Sequence, residues 1–128
     1  MARHDFGIMD IAPLPGKRYD KYEPEKYNCI SVDDEYIENI QEQLCAFDSY
    51  SHTIDCPIKG LEYCGITLIP PTSINCFIEV IENNSDLSEL KKLLLVAQHK
   101  HRFVIQKRCL NAKIIIRLIA RLSEHLCP

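Results

Sequence analysis

The run Leu61-Glu62-Tyr63-Cys64-Gly65-Ile66-Thr67-Leu68-Ile69 ends abruptly at Pro70-Pro71, and apolar side chains then recur at Ile74, Phe77, Ile78 and Ile81. A β-rich run gives way, within a few residues, to the three-and-four spacing of a helix with one buried face. Proline donates no backbone hydrogen bond, so the strand must stop there. Thr72 or Ser73 offers a hydroxyl to cap the helix. A chain containing this βα unit has to build a sheet with a helix laid against it.

The other segments fit that frame. Ile37, Ile40, Leu44 and Phe47 repeat at helical spacing, and Asp33, Asp34 and Glu35 crowd the first turn, where acids oppose the positive end of the helix dipole. This predicts a helix over 33–47. Asp86 with Glu89 is a capping-box pattern ahead of Leu87, Leu90, Leu93, Leu94 and Ala97, which predicts a second helix. Strands are expected over 27–32 and 101–105, and a final helix over 112–125 with Ile115, Leu118, Ile119 and Leu122 on its apolar face. Residues 48–60 read as a loop with a marginal strand near 51–54. The two-helix connection from 61–69 to 101–105 is long enough for a crossover, so those strands are expected to be parallel.

Residues 1–28 differ from the rest, holding Pro13, Pro15 and Pro24 with Tyr19, Tyr22 and Tyr27 among Lys, Asp and Glu. Proline argues against a long helix. A short strand is expected over 8–11, a turn at Pro15-Gly16, and an extended Pro/Tyr-rich segment packed on the domain. The expected fold is α/β or α+β, one domain over 1–128, with a small mixed sheet covered by about four helices.

Composition narrows the class. With 128 residues, 46% apolar and 26% charged, the chain can bury roughly two-thirds of its unfolded surface and needs no metal or disulfide staple. The seven cysteines, at 29, 45, 56, 64, 76, 109 and 127, are odd in number and form no Cys-x-x-Cys. That count suits neither a secreted disulfide framework nor a zinc ribbon, so reduced thiols are expected. The start enters no long apolar run, and the longest apolar stretches are too short for a membrane span. The expectation is a cytoplasmic protein with no membrane partner.

Charge divides sharply along the chain. Residues 1–90 carry six Lys/Arg against seventeen Asp/Glu, whereas 91–128 carry nine Lys/Arg against Glu124 alone. Asp34, Glu35, Glu38 and Glu42 load the first predicted helix and form the candidate acidic face. Lys113, Arg117 and Arg121 stand at four-residue steps along the last, with Arg102, Lys107 and Arg108 shortly before it. Opposite faces of this kind suit an interaction or regulatory module that binds a protein partner or a second copy of itself. The alternative is nucleic-acid binding through the basic 100–121 region, although no helix-turn-helix, RNP set or Gly-rich phosphate loop accompanies it.

A third reading is a small Cys-dependent enzyme. Cys109 is the reactive-thiol candidate, because Lys107, Arg108 and a following helix N-terminus would lower its pKa; Cys64 is the other. No nucleophile has a recognisable base beside it, so no catalytic residue is assigned and the chain reads more as a binder than an enzyme. No metal and no cofactor are expected. His52, Cys56 and Cys64 match no zinc spacing, and Lys100 and Arg102 would repel a cation from His99 and His101.

Overall fold

The computed structural model describes residues 2–109. The chain is α+β, with a six-stranded antiparallel sheet and four helices among the described residues. In chain order the elements are β1 (Arg3–Ile8), β2 (Ile30–Asp33), α1 (Asp34–Glu38), α2 (Gln41–Leu44), β3 (Asp48–Ser51), β4 (Pro57–Lys59), β5 (Ile66–Ile69), α3 (Pro71–Ile81), α4 (Ser88–Lys100) and β6 (Val104–Cys109). The strands lie in the order β2-β1-β6-β5-β3-β4.

The βα unit at Pro70-Pro71 forms as β5 and α3. Pro70 is the extended N-cap and Pro71 opens the first turn, where its missing N–H has no helical partner to lose. The expected hydroxyl cap is replaced by this arrangement: Ser73 lies inside α3 and donates instead to the Asp48 carbonyl, 2.5 Å away. Ile74, Phe77, Ile78 and Ile81 are buried, as their spacing requires.

β5 and β6 pair antiparallel, with Ile66 opposite Lys107 and Ile69 opposite Val104, so the expected parallel pairing is corrected. A single crossover helix returns the chain to the strand's starting edge, and the next strand then runs parallel. Two helices packed on each other, α3 and α4, reverse the chain once more. The predicted helix over 33–47 is also corrected. It breaks at Asn39–Ile40, where Ile40 leaves helical geometry (φ −116, ψ 11). Ile37 and Leu44 remain buried on two short helices, and Phe47 stacks on Phe77 with ring centroids 5.1 Å apart.

Other boundaries shift for identifiable reasons. The first strand covers Arg3–Ile8 rather than 8–11, and pairs on both sides with β2 and β6. β2 begins at Ile30 rather than at 27. Residues 48–60 contain the β3–β4 hairpin, whose Asp48-Ser49-Tyr50-Ser51 arm shows no apolar alternation. His101 adopts a left-handed conformation (φ 54) that ends α4, so the next strand starts at Val104. The helix expected over 112–125 lies outside the described residues.

The sheet separates two apolar clusters. On one face Phe6, Val32, Ile69 and Val104 join Ile74, Phe77 and Ile81 of α3 and Leu90, Leu94 and Ala97 of α4. On the other, Met9, Ile66, Leu68 and Ile105 meet Tyr19, Tyr27, Tyr50 and Phe103. Strand alternation therefore sends His4 and Phe6 to the helix side, and Asp5 and Gly7 to the side of the N-terminal segment. Close approach explains Gly7: a Cβ there would lie 2.6 Å from Tyr27 Cβ and 2.8 Å from Cys29 Sγ. Among the described residues no helix is long and apolar enough to cross a membrane.

Candidate functional site

On the helix side, β1, β6 and the start of α1 bring four polar side chains into one network. His4 Nε2 lies 2.8 Å from Asp34 Oδ1, and Gln106 Nε2 lies 2.8 Å from His4 Nδ1. Arg108 donates to Asp34 Oδ2 at 2.8 Å, and its guanidinium sits 4.8 Å from the centre of the Tyr63 ring. The cross-strand register creates this set, because His4 faces Arg108 directly across β1 and β6. Asp34 then enters from α1, immediately after β2.

The network is consistent with neutral His4: Nε2–H donates to Asp34, and Nδ1 accepts from the Gln106 amide. Burial lowers the His4 pKa below its ordinary value, and the nearby Arg108 cation adds to this against the pull of Asp34. Burial alone would raise Asp34, but the hydrogen bonds from His4 and Arg108, with the Arg108 charge, bring its pKa below the usual carboxylate range. A buried ion pair of this kind fixes geometry more than it adds net stability. Breaking it strands a charge, since the Arg108 side chain is only 7% exposed.

A narrow cleft opens beside the network, lined by Asp34, Glu38, Glu62, Gln41, Tyr63 and Arg108. Outside it the surface is acidic. Glu35, Glu38 and Glu42 are exposed on α1 and α2, as is Asp33. The carboxylates of Asp86 and Glu35, then burial and the Asp33 carboxylate, raise the pKa of the Tyr36 phenol. Of the four acids expected to form a binding face, Glu35, Glu38 and Glu42 reach the surface. Asp34 turns inward.

The basic candidates divide as well. Arg102 pairs with Asp10 at 2.7 Å, and Arg108 is committed to Asp34. Lys107 points to the opposite face of the sheet from Arg108, as successive strand residues must. The acidic and basic halves of the chain thus meet within one molecule, among the described residues at Asp10–Arg102, Asp34–Arg108 and the neighbouring pair Glu89–Lys92. Lys113, Arg117 and Arg121 lie outside the described residues.

Cys109 ends β6 on the side of the N-terminal segment, 3.7 Å from Asp5 Oδ2. Burial pushes its thiol up, and the Asp5 carboxylate adds to that, so the shift is opposite to the one expected from Lys107 and Arg108. Arg108 fails to activate it because the guanidinium lies across the sheet. Burial also raises Cys64, and it pushes Cys29 up to about 11. Cys29, Cys56, Cys64, Cys76 and Cys109 are free thiols, whereas Cys45 is disulfide-bonded and departs from the expectation of reduced cysteines. Among the described residues no three His, Cys, Asp or Glu side chains gather as metal ligands would.

Asp5 anchors a second polar group under the N-terminal segment. Ser31 donates to it at 2.6 Å, Arg3 at 3.2 Å, and the Tyr22 hydroxyl also donates. Burial would raise Asp5, but these donors and the Arg3 charge bring its pKa below the ordinary value. Sequence reasoning missed His4, Asp5, Gln106 and Tyr63. The available signal was a polar His4-Asp5 pair directly before Phe6, which marks a strand interior only once both neighbouring strands are known. No protein-family model matches the chain, and no curated protein or solved structure does either.

Proposed function

We propose that this chain is a non-enzymatic interaction or regulatory module that docks a basic protein partner on the acidic surface of α1, α2 and the turn before α4. The observation that carries the reading is the exposure of Asp33, Glu35, Glu38 and Glu42 at the N-cap of α1, along α1 and on α2, with Asp86 exposed in the turn before α4. Like charges held together raise the energy of the free surface, and a cationic partner relieves that repulsion while being steered toward it. Glu38 and Glu62 extend the acidic surface to the rim of the cleft, beside the Tyr63 ring.

The partner is a second protein or the basic region of another copy of this chain. A cytoplasmic setting belongs to the proposal, supported by free thiols at five of the six cysteines within the described residues. The test is fluorescence anisotropy with a labelled Lys/Arg-rich peptide, an acidic peptide as control, and a Glu35→Lys/Asp86→Lys variant. The expected result is salt-sensitive binding of the basic peptide alone, weakened about tenfold in the variant. Equal affinity of wild type and variant overturns the reading.

A further inference from the structure

Two of the most exposed large apolar side chains of the described residues, Ile11 at 75% and Leu14 at 56%, lie close together in the N-terminal segment. Both line a groove of about 260 Å³, floored by buried Met9 and walled by Tyr19 and Tyr27. It lies on the side of the sheet away from α3 and α4, because Met9, Tyr19 and Tyr27 belong to the second apolar cluster. That volume lies just below the roughly 300 Å³ lower end of small-molecule sites, so it suits a small ligand; such sites combine apolar walls with a few charged groups.

The local chain holds the groove open. Leu14-Pro15-Gly16-Lys17 is a tight turn closed by the Lys17 N–H to the Leu14 carbonyl at 3.2 Å. Proline sets φ before the bend, and Gly16 then takes a positive φ of 80°. The Leu14 N–H donates to the Tyr19 hydroxyl at 3.3 Å, and the Gly16 N–H to Asp55 at 2.8 Å, so the turn is tied down at both ends. Leu14 therefore stays exposed although the backbone around it is fastened.

Charge selects the occupant. Lys17 Nζ sits 5.1 Å from the centre of the Tyr19 ring, and Lys26 Nζ sits 5.4 Å from that of Tyr27. Each aromatic wall thus carries an ammonium. Among the described residues that line the groove Asp10 is the one carboxylate, and it is paired with Arg102. Lys26 also pairs with Glu23 at 3.6 Å, which leaves Lys17 as the cation without a carboxylate partner among the ion pairs found there. The geometry points to a binding site for a small apolar anion, such as an aromatic carboxylate or sulfonate, with its rings against Met9, Ile11 and Leu14 and its charge at the lysine-bearing rim. This site is separate from the acidic surface, which lies on other elements and would repel such a ligand.

The experiment titrates the full chain with anilinonaphthalene sulfonate, an apolar anion, and with phenylnaphthylamine, its uncharged counterpart. One anionic dye per chain is expected. Lys17→Glu/Lys26→Glu should weaken it about tenfold while leaving the neutral dye unchanged, and Leu14→Ser should weaken both. Four results overturn the proposal: equal affinity for the two dyes, no effect of the lysine changes, several dyes per chain, or a dimer whose formation excludes the dye. The last assigns the groove to a second copy. None of these outcomes depends on whether basic peptides bind, so this proposal and the preceding one fail separately.

Discussion

His4 has hydrogen-bond partners on both ring nitrogens but can satisfy them with only one proton. A second proton would put Nδ1–H against the Gln106 amide N–H, unless that amide turned over. Its folded pKa is lowered, mainly by burial and further by Arg108, so the unfolded chain binds this proton more readily. Stability is therefore intact above the unfolded value of about 6.5 and falls as pH drops below it. Asp34 adds a second loss at lower pH: its folded pKa is depressed, so its contribution is present above about 4 and disappears as pH falls through the folded value. Urea unfolding should show a falling midpoint between about pH 6.5 and 5 in the wild type. His4→Gln should lower the midpoint at neutral pH yet flatten this interval. An unchanged slope would mean that His4 does not carry the dependence.

The N-terminal segment, which has no regular structure between β1 and β2, is held by a handful of separate fastenings. Tyr19 N–H donates to the His52 carbonyl at 2.7 Å, Asp20 pairs with His52, and Tyr22 reaches Asp5. Such a strap opens more cheaply than a strand in mid-sheet. Tyr22→Phe removes one hydrogen bond to a carboxylate, a loss of about 1.5 kcal/mol for this partly exposed hydroxyl. Amide exchange at Tyr19 and Cys29 should accelerate roughly tenfold in that variant, while Gln106 in β6 keeps its protection. Acceleration spread equally over both would show that strap and sheet open as one unit.

Elements were legible in the sequence where one physical signal governs them. Pro70-Pro71 with the spacing of Ile74, Phe77, Ile78 and Ile81 located α3 closely, because burial of one face sets both periodicity and boundary. The Ile37-to-Phe47 spacing misled, since two short helices with a break at Asn39–Ile40 bury the same positions as one long helix. β1 and β3 were hidden for another reason. Their buried His4, Asp5 and Ser49 are satisfied by partners distant in sequence, so no apolar alternation announces them. The candidate site was half legible: carboxylates on the first turn of α1 were visible, but Asp34 turning inward depends on Arg108, seventy-four positions later.

Taken as a whole, the molecule separates its chemistry by face. Carboxylates gather on α1, α2 and the turn before α4, while the groove on the far side of the sheet carries Lys17 and Lys26 at its aromatic walls. The Asp34–Arg108 and Asp10–Arg102 pairs use part of the opposite charge internally, and among the described residues Asp33, Glu35, Glu42 and Asp86 are exposed. The most direct test is an amide chemical-shift map of the full chain titrated with a Lys/Arg-rich peptide at low salt. Shifts confined to Asp33–Glu42, Glu62–Tyr63 and Asp86, and lost at high salt, are the predicted result. Shifts centred on Ile11–Lys17, or absent altogether, would contradict the assignment of the acidic surface as the docking site.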